Sequence, residues 1–428
     1  MFSPRPLSSA VRKRLLSLFL LLASPAVFAQ SISPLDPPDT SQYLKWGPLW
    51  ARPGFAISDL GYDNNVNGVT DDSSIAKVGD YFIAVTPRLK GLVLFGHRAF
   101  LTFDTSLQLY AYAQQSDFDY FNAFVNARLT VPFRRFGLYG DVGFYRTRDR
   151  PYDAQSIPVR PLRKTYPLGA GLIVKFGWRS DAEFGYAQSR FTADDPNDPC
   201  VAGDPSSCSI NALNDRREEG VRLKVRYLAF GRTRVLLEAS RRTITFSYPK
   251  AEAQRDGDER RQFVGLDFGL GGRISGTFRV GHANFDLVNP DFTGFNGFVA
   301  DIALAYNFGD TGSRLSFIGA RDVRYTVYDL TPLYVFTGGD LTLFKYFNRI
   351  LGLQVGAGRA TLDFLGDPTG RMDTDTTATL GMLFRVSENS LGRSVEYSLR
   401  YTRWIVSSTD PRRDQNRGTL GFGASFGY

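Results

Sequence analysis

The feature of this sequence that most limits its fold is a strict alternation of apolar and polar residues. In the segment VRLKVRYLA (221–229) every second residue is apolar, and the residues between them include Arg222, Lys224 and Arg226. In an extended strand these two sets lie on opposite faces. The segment LTFDTSLQL (101–109) has the same pattern. Segments of roughly nine to eleven residues with this period are typical of strands with one face in lipid and one in a polar lumen.

Composition favours a membrane barrel over the alternative, a soluble array of β-sandwiches. The 428 residues include 42 Gly, 35 Phe and 21 Tyr, and the mean hydropathy is −0.21, so the chain is aromatic-rich without being apolar on average. After residue 29, no apolar run reaches the roughly 18 residues of a membrane-spanning helix. The formal charge of +8 includes four basic residues before residue 30, which leaves 8 − 4 = +4 and does not indicate nucleic-acid binding.

The first 29 residues have the pattern of a secretory signal peptide. Basic residues precede the apolar run LLSLFLLLA (15–23), and VFA (27–29) places small residues where a signal peptidase cleaves. We expect residues 30–52 to form a short Pro-rich periplasmic leader and residues 53–428 to form the barrel. These features predict an integral protein of the outer membrane of a Gram-negative bacterium.

The links between strands alternate between short and long along the chain. Short links are predicted near Gly177–Trp178 and Gly231–Arg232, and long polar links at 63–79 and 194–216. Tight periplasmic turns and long outward loops are typical of outer-membrane barrels. The predicted fold class is therefore all-β, a transmembrane antiparallel up-and-down β-barrel. Counting gives about eighteen strands, with sixteen as the alternative, and an even number places both termini in the periplasm.

The last residues of the chain form an apolar strand face that ends on an aromatic residue. Leu420, Phe422, Phe426 and Tyr428 share this face. The pattern resembles the C-terminal signal that the barrel-assembly machinery recognises in outer-membrane proteins. The alternative is that the terminal aromatic residue belongs to the lipid-interface girdle.

Cysteines and histidines are scarce, which limits catalytic and metal chemistry. Cys200 and Cys208 lie in one long link, where a secreted chain is expected to form a disulfide. His282, with Asn284 nearby, is the one conceivable catalytic residue, but a lone histidine on a strand is more often a lumen or interface residue. His97 falls in a predicted turn. We expect no catalytic residues and no cofactor.

The first long link resembles half of a calcium-binding loop. DNNVNG (63–68) matches the D-x-[DN]-x-[DN]-G pattern. Ser74 stands where a bidentate Glu is expected, although Asp71 offers an oxygen. A solvated turn rich in Asn and Asp explains the segment without a metal, and we expect none.

The polar strand face predicts the residues that line the pore. The strip 222–226 is the densest basic segment on it, and it would favour anionic solutes if the pore is open. Mutual ion pairing that fills and stiffens the wall is the alternative role. Sixteen to eighteen strands leave room for an aqueous channel, which the link 194–216 could fold inward to constrict. The predicted pore-lining residues are Arg128, Arg222, Lys224, Arg226, Arg242, Arg314, Arg324, Arg400, Asp104, Glu238, Asp301 and Glu396.

Two segments near the N-terminus carry a family resemblance. ISDLGYDNNVNG (57–68), followed by DYFIAVTPRLKGLVL (80–94), resembles the opening of the putative β-barrel porin 2 family. The resemblance implies an outer-membrane barrel of porin type, found in some bacteria beside exopolysaccharide-export systems. It implies no catalytic or binding residues.

These observations predict a passive channel for small hydrophilic solutes, monomeric or homotrimeric, with a mild anion preference. Its expected partners are the outer-membrane lipid, the barrel-assembly machinery and the solutes, and not nucleic acid. The alternative is a non-conducting structural barrel associated with an envelope or exopolysaccharide-export assembly. A barrel-embedded hydrolase would require His282 beside a nucleophile.

Overall fold

The structure is a computed structural model, and it describes residues 35–38, 40, 43–96, 98–148, 162–194, 214–247, 255–270, 273–309, 312–326, 331–386 and 395–427. The predicted signal peptide, His97, both cysteines and Tyr428 lie outside the described residues. The strands are β1 Leu44–Trp46, β2 Leu49–Asp63, β3 Asp80–Phe95, β4 Ala99–Tyr112, β5 Tyr120–Pro132, β6 Phe136–Thr147, β7 Leu162–Phe176, β8 Ser180–Asp194, β9 Arg216–Phe230, β10 Thr233–Phe246, β11 Gly257–Leu270, β12 Ile274–Leu287, β13 Phe295–Phe308, β14 Ser313–Tyr325, β15 Leu333–Tyr346, β16 Leu351–Phe364, β17 Met372–Val386, β18 Val395–Ser408 and β19 Gln415–Gly427.

Strands β2 to β19 close into a barrel. Each pairs antiparallel with its neighbours in the sequence, and β19 pairs with β2 from Thr419↔Asp63 to Gly427↔Gly54. The short β1 pairs with the start of β2. Among the described residues, the barrel therefore has eighteen strands, which confirms the predicted all-β class and the count of eighteen. The first barrel strand starts at Leu49, before the predicted start at 53.

The two ends of the barrel differ as the sequence predicts. At one end, tight turns contain glycines with positive φ, such as Gly177 (82°) and Gly231 (54°), a conformation that side chains disfavour. Exposed aromatic residues such as Trp178 and Phe230 surround these turns, as in the interfacial girdle of a barrel. The longer links lie at the other end. No helix in the described part of the chain is long and apolar enough to span a membrane.

Candidate pore and constriction

The polar face of the strands lies inside the barrel. Arg279 on β12 lies 3.4 Å from Glu238 on β10, and Arg400 on β18 lies 2.7 Å from Asp59 on β2. Each pair reaches over an intervening strand, which requires side chains on the concave face. The alternate residues, such as Val221 and Tyr227, are exposed on the outer face. The barrel therefore has a polar lumen and an apolar exterior.

The end of β14 separates from β13 and bends into the lumen with the start of β15, which stays paired with β16. Pairing between β13 and β14 stops at Ala300↔Arg321, although both strands continue beyond it. Tyr325, past this point, packs its ring edge-on against Phe246 and Phe285, with ring centroids 5.0 and 5.3 Å apart. We call residues 322–326 and 331–336 the inner hairpin.

The burial of the inner hairpin shows that protein covers both of its faces. Leu333 and Val335 are 0% and 4% exposed and pack in a cluster with the inner residues of β10 to β13. Tyr334 and Phe336 are 4% and 9% exposed and pack with residues of β16. A wall strand leaves alternate side chains exposed on its outer face, so four consecutive buried residues indicate an internal strand.

Polar contacts fasten the inner hairpin to residues at the start of β11. The Tyr325 hydroxyl donates a hydrogen bond of 2.7 Å to the Arg255 carbonyl oxygen, and the Arg255 guanidinium donates one to the Thr326 carbonyl oxygen. Arg261 on β11 forms an ion pair of 2.8 Å with Asp322. The inner hairpin therefore occupies the lumen beside β9 to β12 and narrows it there.

A network of buried carboxylates neutralises the predicted basic strip. Glu183, 5% exposed, accepts hydrogen bonds from Arg222 (3.0 Å), Arg226 (2.9 Å) and the Tyr139 hydroxyl (2.9 Å). Arg226 also contacts Asp181 at 2.6 Å. Buried carboxylates are stable when they are paired in this way. The strip therefore helps to build the wall.

The network continues toward the inner hairpin along β10 to β13. Glu238 contacts Lys224 at 3.6 Å and Arg279 at 3.4 Å, and Arg279 also contacts Asp301 at 2.9 Å. A second branch joins Arg242 to Glu218 and Glu259, and Arg261 then links Glu259 to Asp322. Charges of both signs thus alternate from wall to hairpin.

The opposite wall, β3 to β6, borders open space. Its ion pairs, Lys90–Asp104 and Arg128–Asp141, are both 3.1 Å long, and their side chains are about half exposed. They line a cavity of about 490 Å³, together with residues of the leader such as Tyr43. This side of the lumen therefore presents exposed charged side chains to the open space.

The leader also contacts the inner wall. Leu35 is 2% exposed and packs in a cluster with Tyr139 and Ile173. It lies over Gly137, where a Cβ atom would collide with the leucine side chain. The described part of the leader therefore reaches into the lumen beside β6 and β7.

All twelve predicted pore-lining residues lie on the polar face. The ladder pairing places Arg314 opposite Asn307, and Arg314 forms no ion pair with any described residue. Arg324 lies 4.1 Å from the centre of the Phe336 ring, in the inner hairpin. Glu396 pairs with Arg385 at 3.4 Å and accepts a hydrogen bond from Tyr346. Their role in lining a pore stays a prediction.

Sequence reasoning missed the constriction itself. Tyr325, Arg255 and Tyr139 were not among the predicted residues, and 194–216, the link predicted to fold inward, lies mostly outside the described residues. One signal was available. PLYVF (332–336) is continuously apolar, and an unbroken apolar run is typical of a strand covered on both faces.

The loop after β2 uses its polar groups to fold. Asp63 accepts hydrogen bonds from Arg417 and from the Asn65 backbone, and the Asn65 amide bonds both the N–H and the carbonyl of Val69. Asn67 bonds Ala76 and Val78 in the same way. Asn65 is buried, so the loop is packed and is not the solvated turn that we expected. Among the described residues, no cluster of three or more metal-ligating side chains occurs.

The remaining predicted residues lie on the outer face. His282 on β12 is exposed, opposite Gln262 and Phe298, and within the described residues no hydrogen bond joins it to a serine or a carboxylate. Leu420, Phe422 and Phe426 are exposed on β19, and their role as an assembly signal stays a prediction.

A closed eighteen-stranded barrel with a polar lumen and an apolar exterior has the architecture of an outer-membrane β-barrel of the porin class. The model of the family described as "Putative beta-barrel porin 2" matches residues 45–426, and the chain belongs to this family. No curated protein sequence shows significant similarity to the chain.

Several solved porin structures are similar to the chain at low identity. OccAB3 of Acinetobacter baumannii is 10% identical, with 88% of this chain and 99% of that chain covered and a TM-score of 0.47. OccK9 (OpdG) of Pseudomonas aeruginosa is 12% identical, with 88% and 98% covered and a TM-score of 0.47. A BenF-like porin from Pseudomonas fluorescens Pf-5 is 9% identical, with 88% and 99% covered and a TM-score of 0.47.

Proposed function

We propose that this porin is a non-enzymatic channel for passive diffusion of small hydrophilic solutes. The observation that carries the proposal is the open side of the lumen, where Lys90, Asp104, Arg128 and Asp141 border a cavity of about 490 Å³. The charges of a half-exposed ion pair stay largely hydrated, so their mutual attraction contributes little free energy. A hydrated solute can therefore exchange contacts with them at low cost.

We propose that the channel mildly prefers anions, and that residues outside the basic strip 222–226 produce this preference. Arg88 and Arg314 face the lumen, are exposed and form no ion pair with any described residue. Asp267 and Asp340 face the same lumen, are exposed and also lack an ion pair in the described part of the chain. The opposing charges explain why the preference is mild.

A structural barrel without conductance is the second candidate. The inner hairpin and the ion-pair network from β8 to β14 favour it, because both fill the lumen. Such a barrel would serve an envelope or exopolysaccharide-export assembly. The two candidates differ in whether water and solutes cross the barrel.

Liposome swelling separates the two candidates. The protein is purified from membranes in detergent, checked for heat-modifiable migration as a folded barrel, and reconstituted into vesicles. We expect swelling in isotonic solutions of a small uncharged sugar. A heat-modifiable barrel that causes no swelling would contradict the channel and favour the structural barrel.

We further propose the route to the membrane. Residues 1–29 direct export and are removed, Cys200 and Cys208 form a disulfide, and the face of Leu420, Phe422, Phe426 and Tyr428 is the signal for barrel assembly. The assembled barrel is a monomer or a homotrimer.

A further inference from the structure

Charge is distributed unevenly over the outer face of the barrel. At the outward positions of β3, β4 and β5 the described strands carry no charged residue. On β6 to β11, each strand carries one outward basic residue near the end with the longer links. These six residues, which we call the basic belt, are Arg146, Lys164, Arg190, Arg217, Arg241 and Arg260.

The ladder register places members of the belt directly opposite one another. Arg146 pairs with Lys164 across β6 and β7, Arg190 with Arg217 across β8 and β9, and Arg241 with Arg260 across β10 and β11. Like charges at directly opposed positions destabilise a sheet. Three such pairs on neighbouring strands indicate a surface that is stabilised by an anionic ligand.

Acidic neighbours neutralise the belt only in part. On the outward positions of the described strands β6 to β11, the acidic residues are Glu219, which contacts Arg217 at 2.9 Å, Asp258, which contacts Arg241 at 3.2 Å, and Asp194, at the end of β8 opposite Leu162. Arg190 and Arg260 are exposed and form no ion pair with any described residue. Guanidinium groups in this state bind phosphate well, because they offer two parallel donors.

An apolar groove adjoins the belt. It has a volume of about 1010 Å³, and its floor contains the small residues Ala170 and Ala239. Phe184 and Leu223 line its sides, and Arg241 and Arg260 are also part of the lining. The groove crosses the part of the barrel that faces lipid. It therefore joins a surface for acyl chains to a surface for phosphates.

We propose that the basic belt and its groove bind the phosphorylated glycolipid of the outer leaflet. The arginines contact the phosphates of its headgroup, and an acyl chain lies in the groove. The charge of the belt and its position at the end with the longer links match a lipid that carries phosphate above several acyl chains. This binding would hold the barrel at a fixed depth in an asymmetric membrane.

Native mass spectrometry of the purified barrel tests the proposal with bisphosphorylated lipid A as the probe. We expect retention by the natural protein, at least about tenfold weaker retention by a variant carrying Arg190→Gln, Arg217→Gln, Arg241→Gln and Arg260→Gln, and weakening by added salt. The control variant carries Arg321→Gln, Arg359→Gln and Arg403→Gln. These arginines also face outward, but none lies opposite another basic residue.

Heat-modifiable migration shows that each variant is folded before binding is compared. Retention that is equal in both variants would overturn the proposal, and so would equal retention of dephosphorylated lipid A. Equal retention of phosphatidylglycerol would show a general site for anionic lipid and overturn the assignment to the glycolipid. None of these results depends on conductance, so they are independent of the proposed channel.

Discussion

Two sides of the lumen wall carry similar residues in different states. Along β8 to β14, carboxylates such as Glu183 and Glu259 are buried, and each contacts at least two arginine side chains. Along β3 to β6, Asp104 and Asp141 are about half exposed, and each forms one ion pair. The inner hairpin packs against the first side at β10 to β13, whereas the second side borders a cavity of about 490 Å³. The number of charges therefore does not decide where a lumen conducts, whereas the packing around them does.

Shortening the inner hairpin has the largest expected effect on this comparison. Arg321 and Thr337 are ladder partners, so residues 322–336 can be replaced by Asn-Gly, which forms a two-residue β-hairpin turn. The side of the lumen that the inner hairpin occupies then becomes open. We expect vesicles with this variant to swell in sugars too large for the natural protein, with rates higher by roughly twofold or more.

The matched control keeps the inner hairpin and removes one ion pair that holds it to the barrel wall. Asp322→Asn breaks the ion pair with Arg261 but preserves the packing of Tyr325, so its size limit should stay close to that of the natural protein. A shortened variant with an unchanged size limit would show that the narrowest point lies elsewhere.

Removing one carboxylate from each side of the lumen compares how much the buried and the exposed ion pairs contribute to the free energy of unfolding. Glu183→Gln leaves two arginines without their buried partner, and we expect it to lower the free energy of unfolding by about 2 to 3 kcal/mol. Asp104→Asn, on the open side, should cost less than about 1 kcal/mol. Urea unfolding of both variants in the same lipid vesicles measures the difference. Equal midpoints would contradict the distinction between the two sides.

Removing exposed lumenal arginines should change ion selectivity, and this is the smallest of the expected effects. Arg88→Gln with Arg314→Gln removes two exposed lumenal charges, and we expect the reversal potential in a salt gradient to shift toward cations by a few millivolts, because the proposed preference is mild. The control, Lys90→Gln with Asp104→Asn, removes an ion pair without changing the net charge. A shift in the control of equal size would show that local pore shape, and not net charge, sets selectivity.

The sequence predicted the barrel well, because its pattern is periodic and local. Alternation placed Arg222, Glu238 and Arg400 on the correct face, since a strand presents alternate residues on opposite faces. The alternation did not show which charged side chains form ion pairs with each other. Glu183 lies some forty residues before Arg226, and their contact depends on the register between two strands that a long link joins.

The inner hairpin was missed for a different physical reason. Its residues form normal ladder pairs with each other, so local propensity does not distinguish it from the wall. Its departure into the lumen depends on packing of Tyr325 against strands that are distant in sequence. The apolar run 332–336 was the one local sign, because it breaks the alternation that a lipid-facing strand requires.

Single-channel recording of the natural protein and the shortened-hairpin variant, in the same planar bilayer, measures whether the inner hairpin limits conduction along an open lumen. We expect steady openings of the natural protein through the β3 to β6 side and clearly larger openings of the variant. Identical conductance of the natural protein and the variant would contradict the proposal that the inner hairpin is the constriction. Silence of the natural protein, from a demonstrably folded barrel, would contradict the open path itself.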